Sequence, residues 1–265
     1  MMPRTLWLIG CGNMGGAMLR QWLVGGTISA ANVFVLNRHD GALPEGVRQG
    51  RALPDGPLPD AVMLAVKPQQ LDAIAGAWAQ RLAGIPLLIS ILAGVEQDAI
   101  ARRFSAGAIL RAMPNLPVGI GKGVVALNGT IDDAAARGAE ALMAPLGLVE
   151  WIGDAAQFDV VTALAGSGPA FLYRFIDALA RGGAALGLPA EQAARLAVAT
   201  VEGAALLAAR ASETPGALAD QVASPGGSTR EGLNVLDAEG ALNRLVADTL
   251  AAATRRNAEL AAAAR

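Results

Sequence analysis

Leu6-Trp7-Leu8-Ile9-Gly10-Cys11-Gly12-Asn13-Met14-Gly15-Gly16 is the stretch that decides the fold of this 265-residue chain. Four apolar residues read as a buried strand, glycines break it, and Ala17-Met18-Leu19-Arg20-Gln21-Trp22-Leu23 resumes at helical spacing. Strand, tight turn and helix make the first half of a βαβ unit, and Val33-Phe34-Val35-Leu36 arrives where its return strand is due. In such a turn Gly10 lets the chain reverse, Gly12 has no side chain to hold a pyrophosphate off the backbone, and Gly15 lets the helix lie close to the strand. The N–H groups around Asn13 and Met14, at the start of the helix, then face an anion. A glycine turn with no ligand is the plainer alternative in a chain this rich in glycine and alanine, but the flanking strands favour a dinucleotide.

The end of the second strand distinguishes the two nicotinamide dinucleotides. An NAD site places Asp or Glu there for the ribose 2′-hydroxyl, whereas this chain has Asn37-Arg38-His39. A neutral side chain followed by a guanidinium suits a 2′-phosphate. NADPH is the expected cofactor and NADH the alternative, with Asp40 close enough to temper Arg38. His39, the only histidine, is expected at the surface or against adenine or phosphate.

Outward from this unit, residues 41–59 are rich in Gly and Pro and hold at most a short strand. Further buried strands are read at residues 61–66, 86–91, 108–113, 124–127 and 148–152, with helices at 69–82, 96–104 and 132–143. Alternation of this kind predicts an α/β fold, a Rossmann-type doubly wound and mostly parallel sheet over residues 1–153. Ligands bind such sheets beyond the carboxyl ends of the strands. The loops at 66–69, 92–95 and 113–116 are therefore expected to line the cofactor cleft.

From Asp154 no further strand is read, and alanine-rich helices start at Pro and stop at Gly. Residues 154–265 are expected to form an all-helical domain, ending in an alanine run at 261–264 prone to fraying. So much apolar surface on small-residue helices predicts a homodimer. A net charge of −2 with no basic block excludes nucleic acid as a partner, and no apolar run reaches membrane-spanning length. The first strand follows Met1-Met2-Pro3-Arg4-Thr5 directly, leaving no room for a secretory signal, and the lone Cys11 fits a reducing compartment. The expected location is cytoplasmic, and no metal site is expected.

Two stretches of the second half bear on chemistry. Ser224-Pro225-Gly226-Gly227-Ser228-Thr229-Arg230-Glu231 reads as a turn followed by a capping box, Ser228 with Glu231. The free N–H groups of that helix start form a nest for a carboxylate, unless this is an ordinary helix start. Ala165-Gly166-Ser167-Gly168-Pro169-Ala170 is the second, with Pro169 expected at the first helical position. From residue 123 onward there is no Lys, His or Cys. Ketone reduction needs a proton donor at the carbonyl, usually His or Lys, whereas an imine nitrogen is basic enough to be protonated beforehand. A hydroxyl such as Thr229 suffices to orient it, and a C=N substrate is favoured over C=O, although Lys67 or Lys122 could still reach the cleft.

Together with Ala65-Val66-Lys67-Pro68-Gln69 and Arg111-Ala112-Met113-Pro114-Asn115, these motifs make the chain resemble the pyrroline-5-carboxylate reductase family from end to end. The resemblance implies NAD(P)H-dependent reduction of 1-pyrroline-5-carboxylate to L-proline, by a Rossmann domain and a helical dimerisation domain, often in larger rings of dimers. It implies that residues 224–229 hold the substrate carboxylate, Ser224, Gly226, Gly227 and Ser228 included, and that Thr229 lies by the ring nitrogen as the catalytic residue. Ala65, Val66, Lys67 and Pro68, with the turn Ile91-Leu92-Ala93, are carried over to the cofactor, and Ser167 and Asn115 to the substrate. The chain departs from the family at Ser228 and Leu116, each usually Thr, and in having no Asn within residues 51–60. The alternatives are a related reductase of another cyclic imine or a 3-hydroxy acid, and a catalytically silent NADPH-binding regulator.

Overall fold

The computed structural model describes residues 1–39 and 41–263. Asp40, with its expected influence on Arg38, and residue 264 of the terminal alanine run lie outside the described residues. Eight strands form one sheet: β1 (Leu6–Ile9), β2 (Val33–Leu36), β3 (Arg48–Gly50), β4 (Ala61–Leu64), β5 (Ile85–Ser90), β6 (Ala106–Pro114), β7 (Gly123–Asn128) and β8 (Gly147–Trp151). Their order is β3-β2-β1-β4-β5-β6-β7-β8. The first six are parallel and follow the order of a dinucleotide-binding sheet. β7 runs antiparallel to β6, and β8 parallel to β7. Only a short turn, Leu116–Ile120 with Gly121 at φ 66°, joins β6 to β7, too little chain for the crossover that a parallel neighbour requires.

Each central strand is buried on both sides because its alternate residues feed different cores. Leu6 and Leu8 meet Met18, Leu19 and Trp22 of α1 (Asn13–Val24), while Trp7 and Ile9 face Phe34, Leu36, Val62 and Leu64. Burial of each such side chain contributes about 1.5–3 kcal/mol. Trp22 is fully buried, and its indole N–H donates to the Leu142 carbonyl at 2.7 Å, in α4 (Asp133–Met143). Its polar edge is thus satisfied inside the core. The helices α2 (Leu71–Trp78) and α3 (Gln97–Ala101) are shorter than their periodic stretches.

By compactness the chain divides into one unit of residues 1–167 together with the chain from Ala253 on, and a second unit, Gly168–Ala252. The first therefore runs beyond residue 153, where the composition shifts. One cause is Phe158 of α5 (Ala155–Val161), which is buried in the unit beneath the Arg111 guanidinium at 4.3 Å from its ring centre. The residues at 158 and 111 lock this segment to β6, although it is helical and alanine-rich like the chain beyond residue 167.

The second unit holds α6 (Gly168–Ala185), α7 (Ala190–Ala208), α8 (Pro215–Gln221), α9 (Ser228–Asp237) and the beginning of α10 (Ala241–Ala263). Among its residues only Ala193, Ala197 and Ala223 are buried. α6 and α7 approach closely where Gly183 faces Ala193, a Cβ on the glycine falling 3.5 Å from the alanine methyl. Leu172, Phe175, Leu179, Leu196 and Leu207 remain exposed on these helices.

Candidate active site

The glycine turn opens on a groove of about 620 Å³ at the carboxyl ends of β1, β2 and β4. Its local geometry comes from three glycines in different roles. Gly10 has φ +87°, and a Cβ there would stand 2.8 Å from the Ala65 carbonyl oxygen, so the turn at this point admits only glycine. Gly15 lies on Ala65, where a Cβ would come within 3.2 Å of the alanine methyl. A Cβ on Gly12 would meet nothing within 4 Å and would project into open space. The glycine is therefore not needed for packing, and its bare backbone leaves room for a group lying against the turn. A dinucleotide pyrophosphate fits that space.

Side chains hold the turn in place. The Cys11 N–H donates to Asn37 Oδ1 at 3.1 Å, and the Asn37 N–H donates to the Gly50 carbonyl at 3.0 Å, tying β1, β2 and β3 at one end. Burial pushes the Cys11 thiol up, against the pull of Arg20, so it stays neutral. The Lys67 N–H donates to Gln70 Oε1 at 3.1 Å, fixing the turn after β4.

Of the expected cofactor residues, Gly10, Gly12, Asn37, Arg38, Ala65, Val66 and Lys67 line this groove together. Asn13, Met14 and Gly15 belong to the helix start behind it. Pro68 and Ala93 line a neighbouring depression of about 370 Å³. Ile91 packs partly buried against one core and Leu92 lies in the other, and neither is among the described residues that line the groove. Sequence reasoning missed Arg51, Gln70, Ile74 and Trp78, which also line it. Arg51 was hidden because β3 has three residues, too few to show a period; α2 was legible, but which of its residues face the groove was not.

Asn115 is nine-tenths buried and fully engaged. Its Oδ1 accepts from the Val124 N–H at 2.8 Å, and its Nδ2 donates to the Ala165 carbonyl at 2.9 Å. Pro169 has no N–H to offer the carbonyl four residues back, and the Asn115 amide supplies the missing donor. This side chain acts on the backbone and does not present a free amide to a ligand. Residues Thr162–Gly166 form a π turn, closed by the Ser167 N–H on the Thr162 carbonyl at 3.0 Å. Such turns recur at functional sites. The next helix starts at Gly168, so Pro169 is its second residue rather than the first.

Residues 224–229 form a tight turn, with the Gly227 N–H on the Ser224 carbonyl at 3.0 Å and Gly226 at φ 71°. The predicted capping box is not formed. Gly227, extended at φ −81° and ψ 159°, is the cap residue of α9, and no side chain bonds the helix start. Ser228 is already helical and its hydroxyl cannot reach forward to the third residue. The consequence is that the N–H groups of Ser228, Thr229 and Arg230 have no acceptor within the helix, while Glu231 reaches Gly227 at 3.2 Å. Ser224, Gly226, Ser228 and Thr229 are exposed. The Arg230 guanidinium steadies the turn through Asp220 at 2.8 Å and the Ala223 carbonyl at 3.5 Å.

One further charged group is buried away from these sites. Arg111, 6% exposed on β6, has its pKa lowered by burial, against Asp159 and Glu96, which raise it. Burial raises the Asp159 carboxyl, with Arg111 opposing and Glu96 adding to the rise. Among the described residues no cluster of His, Cys, Asp and Glu could hold a metal ion, and no helix is long and apolar enough to cross a membrane.

Residues 155–260 match the family model for pyrroline-5-carboxylate reductase dimerisation, and residues 5–94 match that for coenzyme F420-dependent NADP oxidoreductases. The pyrroline-5-carboxylate reductase of Synechocystis is 37% identical, over 98% of this chain and 99% of its own length. That of Thermus thermophilus is 36% identical, over 95% of this chain and 97% of its own. The solved structure of a pyrroline-5-carboxylate reductase from Coxiella burnetii superposes with a TM-score of 0.87 at 31% identity, over 97% of this chain and 98% of that one.

Proposed function

The chain belongs to the pyrroline-5-carboxylate reductase family, and from that membership we propose that it reduces the C=N bond of 1-pyrroline-5-carboxylate to L-proline with NADPH. When bound, the reduced nicotinamide supplies the hydride. The glycine turn at Gly10 and Gly12, with Arg38 and Lys67 in the same groove, would hold the dinucleotide. The match of residues 5–94 to NADP oxidoreductases supports that cofactor, with NADH as its competitor.

The substrate assignment is carried by the uncapped start of α9. Three backbone N–H groups of residues 228–230, continuous with the turn at Gly226 and Gly227, are aimed outward with no side chain covering them, which suits a carboxylate. Thr229 in the first helical turn carries the hydroxyl that would orient the ring nitrogen. The nitrogen takes its proton from solvent, because the iminium forms near neutral pH, and the carbon takes the hydride; the product is a secondary amine. No Lys or His in residues 123–265 is then needed as a proton donor. Ser167, whose N–H closes the π turn, is carried over from the family as a further substrate residue.

The chain is also proposed to form a homodimer through residues 154–265, and rings of dimers beyond that. Support comes from the dimerisation model over residues 155–260 and from a helical unit in which only three alanines are buried while several large apolar side chains are exposed. A cytoplasmic location belongs to the same proposal, supported by the lone cysteine.

The deciding experiment follows reduced-nicotinamide absorbance with purified protein and 1-pyrroline-5-carboxylate, with NADPH and NADH in parallel. Imine-dependent loss of signal is expected, faster with NADPH. No loss with either cofactor overturns the assignment, and activity on ketoacids alone would transfer it to a C=O substrate.

A further inference from the structure

We propose that Arg51, together with Arg38, forms the subsite for the 2′-phosphate of NADPH and is a specificity-determining residue for that cofactor, an inference that rests on the dinucleotide reading of the groove. The short strand β3 makes the pairing possible. β3 runs parallel to β2 with Gly50 opposite Leu36, and the Asn37 N–H donates to the Gly50 carbonyl at 3.0 Å. Neighbouring strands lie about 4.8 Å apart. Arg51 leaves β3 one residue beyond Gly50, Arg38 leaves β2 two residues beyond Leu36, and both line the glycine-turn groove with His39.

The chain that carries each arginine is held to the other's strand. Gln49 donates through Nε2 to the Gly41 carbonyl at 3.1 Å and accepts the Gly41 N–H at 3.4 Å, folding the segment after β2 onto β3. Phe34 lies beneath Gly50, where a Cβ would come 3.1 Å from the ring, so the strand end is seated on β2. Lys67 comes after β4, on the other side of β1 from this pair, and its charge belongs to another part of the dinucleotide.

The charge balance points the same way. Arg38, Arg51 and Lys67 all line the groove. Where a site selective for NAD places Asp or Glu directly after the second strand, this chain has Asn37 and Arg38. A phosphomonoester carries a charge of about −1.5 to −2 at neutral pH. Two guanidinium groups at adjacent strand ends match that charge, and each planar fork of donors can take two of the phosphate oxygens.

The test is isothermal titration calorimetry with adenosine 2′,5′-bisphosphate and with adenosine 5′-monophosphate, on the wild-type chain, Arg51→Gln, Arg51→Lys and Arg38→Gln. The wild type should bind the bisphosphate more tightly. Arg51→Gln should weaken the bisphosphate by about ten- to a hundredfold and leave the monophosphate within about twofold, and lysine should restore part of the loss. Wild-type affinity for the bisphosphate in Arg51→Gln would assign the subsite to Arg38 alone, and equal weakening of both ligands would give Arg51 a structural role; either overturns the proposal. If the wild type binds neither nucleotide, the dinucleotide reading of the groove fails with it, an outcome that does not resemble the other two.

Discussion

Two helix starts in this molecule are built alike and embedded differently. α1 begins at Gly12 and α9 at Gly227; each comes after a glycine with positive φ, and neither has a side-chain cap. Both leave backbone N–H groups at a positive helix end, the arrangement that receives anions. Yet Gly10 is wedged against the Ala65 carbonyl, and α1 buries Met18, Leu19 and Trp22, whereas Gly226 has nothing within 4 Å and α9 buries no residue. A glycine cap in place of a side-chain cap costs a few tenths of a kcal/mol of helix stability in each place. In α1 the sheet and core offset that cost many times over; in α9 little besides Arg230 does. The same local device is thus rigid in one place by packing and is held in the other by a single turn and one guanidinium.

That difference should be visible in single substitutions. Gly10→Ala combines a positive φ with a contact at 2.8 Å and should destabilise the fold by about 2–4 kcal/mol in denaturant titration, whereas Gly226→Ala should cost only about 1 kcal/mol. Equal losses would break the contrast. Thr229→Ala removes an exposed hydroxyl that caps nothing, so stability should stay within about 0.5 kcal/mol while kcat/KM falls by about tenfold or more. Unchanged kcat/KM would remove Thr229 from the site. Gly12→Ala meets no atom within 4 Å and changes only the cap of α1, so stability should fall by at most about 1 kcal/mol while NADPH affinity, followed by fluorescence, drops by about tenfold. Arg230→Ala should have the smallest effect: the pair with Asp220 is exposed and worth at most about 1 kcal/mol, so only a modest rise in KM is expected from the loosened turn.

Much of the sheet was legible because its signal is local. Runs such as Leu6-Trp7-Leu8-Ile9 and Ala61-Val62-Met63-Leu64 are apolar without alternation, as strands buried on both faces must be. The glycine turn was legible because positive φ and close approach restrict residue type. The turn and helix start at residues 224–231 were legible, but the cap was not: Ser228 and Glu231 fit the capping box, and only the backbone shows that Gly227 takes the cap position. The antiparallel β7 could not be read, since strand direction depends on how the connecting turn folds.

By itself the sequence determined the order of strands and helices, the glycine turn, the family, and the absence of any Lys or His from the helical half that bears on the imine chemistry. These are properties of residue type and spacing. Tertiary structure alone decided which polar groups are spent on the backbone and which remain for a ligand. Asn115, carried over to the substrate, has its amide bonded at both ends to backbone, at Ala165 and Val124. Arg51 looked like loop and lines the same groove as Arg38, following the edge strand β3. The physical reason is that a hydrogen bond or a charge pair between residues far apart in the chain exists only once the sheet has set their distance.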